Sequence, residues 1–152
     1  MFLILLSLHS LFRWLTVISL LVSIMISIRG ICYRTLFSRK ENFIRHSTAT
    51  IAHVQLFIGI LLYTKSPQTR YFFSGDTIGF GEPGFFAVIH MSLMLLAIIF
   101  ITLGSAFAKR KNRPIDKYRT MLLWFCLALI MILVAIPWPF SPLAQRPLFR
   151  SF

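Results

Sequence analysis

Four apolar runs, at about residues 2–28, 44–63, 85–107 and 120–136, constrain this chain more than any other feature. A hydrocarbon core of about 30 Å is crossed by roughly 20 helical residues, and each run is near or above that length. Backbone amides have no water to bond inside lipid, so such runs cross as helices. Composition agrees: 57% of the 152 residues are hydrophobic and 13% charged, with mean hydropathy +0.79. A soluble domain of this size has too little interior to hide so much apolar surface. The expectation is an all-α polytopic membrane protein, one four-helix transmembrane bundle, with a connecting loop at 64–84 and a tail at 137–152. The first run is too long for the apolar core of a cleaved leader and has no basic residue before it, so it is expected to stay as a helix.

The formal charge of +12 is distributed unevenly. Eleven of the sixteen Lys and Arg residues lie in two connections, Arg29 to Arg45 and Lys109 to Arg119. The other connection carries Lys65 and Arg70, and the tail Arg146 and Arg150. The positive-inside rule puts the two basic connections in the cytoplasm and both termini outside. The same charges suit anionic lipid and make a nucleic-acid role unnecessary. Loop 64–84 is rich in glycine and turn residues, with a short interfacial piece expected around Tyr71 to Phe73. Cys32 and Cys126 fall at no metal-ligand spacing and receive no role.

Polar residues inside the runs are the candidates for function. At about 1.5 Å per residue, His9 lies roughly 28 Å from the inner end of the first run and His90 roughly 26 Å from that of the third. They share a level near the outer surface. Two imidazoles from different helices at one level can supply both axial nitrogens of a b-type haem, and can equally bond a neighbouring carbonyl or hydroxyl. Arg13, four residues after His9, is on nearly the same face and about one turn deeper. Its anion could be a haem propionate, a quinone oxygen, a lipid phosphate, an acid of a partner chain, or Asp76 or Glu82 of the outer loop. His46 and His53 share one stripe of the second run and Gln55 follows on another face; this stripe is either a second cofactor or quinone edge, a proton path, or helix packing.

The segments "LHSLFRW", "IAHVQLFIGILLY", "IPWPFSP" and "RPLFRSF" resemble those of small four-span bacterial membrane proteins labelled cytochrome B, along most of the chain. The resemblance implies that His9, Arg13, Trp14, His53, Gln55, His90, Trp138 and the Arg146 to Phe149 stretch belong to a shared pattern. One departure is Ile89, where that pattern often has an acid before the third-run histidine. The leading expectation is a small b-type cytochrome-like subunit of a bacterial inner membrane. In it His9 and His90 are the metal ligands of haem b, while Arg13, His53 and Gln55 contact cofactor, a quinone being the further candidate. Electrons would pass between the quinone pool and a redox partner. Its rivals are a cofactor-free accessory subunit of a larger complex, packed against other subunits or a second copy of itself, and a small transporter or proton conductor. No nucleophile constellation, phosphate loop or carboxylate pair points to a self-contained enzyme.

Overall fold

The computed structural model describes residues 2–75, 80–141 and 144, and all regular structure in them is helical. Four helices are long and apolar enough to cross a membrane: α1 (Phe2–Cys32), α2 (Arg39–Lys65), α4 (Gly81–Arg110) and α5 (Pro114–Ala135). A short helix α3 (Pro67–Phe73) follows α2. It contains Tyr71 to Phe73, where a short piece was expected within the 64–84 connection. Asp76 and the tail arginines Arg146 and Arg150 lie outside the described residues.

The long helices extend beyond their apolar runs, and local sequence sets where three of them start or stop. Ser38 and Glu41 form a reciprocal capping box that starts α2 at Arg39, five residues before the apolar run at Ile44. Pro114 starts α5 at the position where a missing N–H costs nothing. α1 stops at Cys32, where Arg34 takes a left-handed φ of 50° and the Thr35 amide returns to the Gly30 carbonyl at 3.2 Å. Hydropathy marks the length that lipid requires; the helices themselves are longer.

The helices run up, down, up and down. α1 packs chiefly against α2 and α5, and α4 against α5 and α2, so α1 and α4 face each other across the diagonal. Leu20, Ala52, Ala97, Ile101, Phe125 and Ala128 fill the middle of the bundle. Leu3, Ile18, Phe57, Ile130 and Val134 stand exposed on its outside. An apolar exterior of this extent belongs to a surface facing lipid. The chain is a multi-pass membrane protein.

The end bearing the basic connections is tightly closed. The Tyr118 ring occupies the space a side chain on Gly30 would need. Its hydroxyl donates to the Leu36 carbonyl at 3.0 Å and lies 3.2 Å from the Thr35 hydroxyl. Two turns deeper, the Ser23 and Thr48 hydroxyls meet at 2.8 Å and join α1 to α2. Arg45, read from the sequence as part of a connection, is inside α2 and only 5% exposed. Its guanidinium donates to the Ser105 carbonyl of α4 at 2.7 Å, to the Ser105 hydroxyl, and to Asn42 Oδ1 at 2.9 Å. Neutral acceptors from two helices thus hold a buried cation.

Candidate functional site

The opposite end of the bundle is built differently. His9 comes from the third turn of α1, Gln55 and Gly59 from α2, and His90 from a π-helical turn, Phe85–His90, inside α4. A π turn holds one more residue than the α turn it replaces and recurs at functional sites. Here the Tyr63 hydroxyl of α2 donates to the Ala87 carbonyl inside that turn at 3.0 Å. The His9 and His90 ring centres end 6.3 Å apart, edge to face.

The end of α5 fixes His90. Pro137 drives Ile136 to ψ 128° and terminates the helix. Continuing the helix would have needed N–H groups at residues 137 and 139 to bond the Leu133 and Ala135 carbonyls, and both positions are proline. The two carbonyls take side chains instead. The Trp138 indole N–H donates to Leu133 at 2.8 Å, and His90 Nδ1 lies 2.8 Å from the Ala135 oxygen. A carbonyl only accepts, so the His90 proton is on Nδ1 and the Nε2 lone pair is left.

His9 is fixed from the other side. The Gln55 amide nitrogen lies 3.1 Å from the His9 carbonyl oxygen and 3.3 Å from His9 Nε2. The carbonyl requires a donor beside it, which settles which end of the Gln55 amide is nitrogen. That NH2 group then donates its second hydrogen to Nε2, so the His9 ring carries its proton on Nδ1. His9 Nδ1 and Gln55 Oε1 are both buried without a hydrogen-bond partner. Gly59 lets this ring lie against α2, since a Cβ there would sit 3.3 Å from His9 Cε1.

These residues line one cavity of about 330 Å³, within the range of small-molecule sites. Its polar wall includes His9, Gln55, His90, Arg13 and Ser10, with Tyr63, Ser66, Gln68 and Thr69 at the junction of α2 and α3; Leu6, Leu56, Phe86, Met94 and Ile98 are among its apolar walls. Arg13 donates to the Ser10 hydroxyl at 3.3 Å and lies 5.3 Å from the ring centre of Trp14. Trp14 meets Trp138 edge to face at 6.4 Å, tying α1 to the segment after α5.

Of the residues singled out in the sequence, the fold brings His9, His90, Arg13 and Gln55 to the cavity and leaves His53 outside its walls. His53 is on the exposed face of α2, where Nδ1 lies 2.7 Å from the Ala49 carbonyl and Nε2 3.1 Å from the Thr102 hydroxyl of α4. His46 is exposed as well. Tyr63 and the Ala135 carbonyl were not anticipated. The one signal for the last was the pair of prolines in "IPWPF".

A haem is a specific test of this wall. Two in-line metal–nitrogen bonds of about 2 Å put imidazole centres roughly 6 Å apart, which the observed spacing meets. His90 offers a lone pair on Nε2. His9 does not, because Gln55 occupies its Nε2 and Nδ1 carries the proton. The pair as arranged does not fit two-imidazole ligation of one iron. Among the described residues, no group of three or more His, Cys, Asp or Glu side chains could hold a metal ion. Comparison of the chain with known families, with curated proteins and with solved structures returns no match.

Proposed function

We propose that the chain is a small accessory subunit of a bacterial inner-membrane electron-transfer complex, and that its cavity receives the head group of a quinone between His9 and His90. The observation that carries this reading is the cavity's polar wall. It presents an imidazole N–H, an imidazole lone pair and an amide oxygen, beside Arg13, in a pocket with largely apolar walls in a lipid-facing bundle. A ring bearing oxygens on opposite edges and an apolar tail matches that mixture. The positive-inside asymmetry supports an outer position for the cavity, with both termini on the same side.

The test is titration of the purified protein in nanodiscs with a short-tailed ubiquinone or menaquinone analogue, followed by Trp14 and Trp138 fluorescence. Saturable quenching that weakens at least tenfold in His90→Ala supports the reading; no saturable binding overturns it. A second reading, a b-type haem on His9 and His90 carrying electrons to a partner, is favoured by the ring spacing. It requires His9 to leave Gln55. A Soret band in protein expressed with ample haem would favour it over the first.

A further inference from the structure

We infer that the cavity discriminates by redox state and binds the quinol in preference to the quinone. The inference rests on the reading that the cavity takes a quinone head group, and it follows from which hydrogen-bonding valences the wall leaves open.

Among the other polar groups of the wall, the Tyr63 O–H is spent on the Ala87 carbonyl, whereas the Ser10 and Ser66 oxygens accept from Arg13 and the Thr69 amide and keep their own O–H to donate; Gln68 and Thr69 add further donors at that edge. The preference turns on the acceptors that have no partner. Gln55, 8% exposed, presents Oε1 with no partner. His90 presents the Nε2 lone pair, because Nδ1 is held by Ala135. Both are acceptors. On the donor side stand His9 Nδ1–H and the hydroxyl and amide donors of Ser10, Ser66 and Gln68, and donors serve a carbonyl oxygen or a hydroxyl oxygen equally well.

A quinone has acceptors only. It satisfies His9 and leaves Gln55 Oε1 and His90 Nε2 facing oxygen or apolar ring. A quinol keeps both oxygens as acceptors and adds two O–H donors, which the two acceptors can take. Water can serve these groups while the cavity is free, and a ligand that displaces it loses affinity unless it reproduces its bonds. An unmet buried acceptor costs enough to change affinity about tenfold. The selectivity is therefore for the reduced form, and it is set by Gln55 and by the carbonyl that orients His90.

The experiment compares one short-tailed quinone, its quinol held reduced under anaerobic conditions, and the dimethyl ether of that quinol, each titrated into the full chain in nanodiscs. The quinol is expected to bind about tenfold or more tightly than the quinone. The ether, which keeps both oxygens and lacks the O–H groups, is expected to bind like the quinone or more weakly. In Gln55→Met the preference for quinol should shrink several-fold, and the ether comparison stands on the wild-type chain even if that variant fails to fold. Equal affinity for quinone and quinol, tighter quinone binding, or an ether as tight as the quinol would overturn the inference while leaving the cavity as a quinone site. Failure of all three ligands to bind would instead remove the functional reading on which it rests.

Discussion

The two ends of the bundle contrast in how they treat buried polarity. At the basic end each buried polar side chain is met: Ser23 by Thr48, Tyr118 by Leu36 and Thr35, and the Arg45 cation by Ser105 and Asn42. At the cavity end a π turn interrupts α4, two carbonyls of α5 are handed to side chains, and His9 Nδ1 and Gln55 Oε1 remain buried without partners. Unmet buried polar atoms are rare because each costs about 1–3 kcal/mol. On the proposed reading one end serves stability and the other a ligand, and substitutions should separate the two.

The largest effect is expected at Gly30. Any Cβ there falls within the Tyr118 ring, so Gly30→Leu should cost roughly 3 kcal/mol or more, read as a loss of thermal stability in detergent or as failure to accumulate. Survival of this variant at wild-type stability would show that the basic end is looser than described. Next is Arg45→Ala, which strips the Ser105 carbonyl and hydroxyl of their donor inside the membrane and should cost about 1–3 kcal/mol with quinone affinity unchanged. A loss of ligand binding at full stability would reverse the division between the ends. Gln55→Leu removes an acceptor that has no partner as well as two bonds to His9, and these opposing effects should leave stability within about 1 kcal/mol of wild type while ligand affinity falls. Smallest is Gly59→Ala. The added methyl needs the His9 ring to give by a few tenths of an ångström, so stability should move by less than about 1 kcal/mol and the change should be read in ligand affinity.

The sequence made the spans legible because lipid imposes a length and a hydropathy that nothing else in the chain imitates. Facing was another matter. In a soluble bundle the core side of a helix is marked by apolar period, but here core and exterior are both apolar and that mark is weak. Arg45 was therefore counted with the topology charges, although the rotation of α2 turns it into the bundle against Ser105. His53, two residues before Gln55, was grouped with the site, and the same rotation carries it to the exposed face beside Thr102 while Gln55 reaches His9. The shared level of His9 and His90 followed from counting rises along two helices. What the count could not supply was the polarity of each ring, because that depends on the Ala135 carbonyl released after α5 and on an amide from α2, contacts more than forty residues away in sequence.

That polarity is the central claim, and imidazole 15N chemical shifts of 15N-histidine-labelled protein in lipid bilayers test it most directly, with His9→Gln and His90→Gln variants assigning the signals. The account predicts that both rings are neutral at neutral pH with the proton on Nδ1 and the lone pair on Nε2, and that quinol shifts the His90 Nε2 resonance more than the quinone does. A proton on Nε2 of either ring would contradict it.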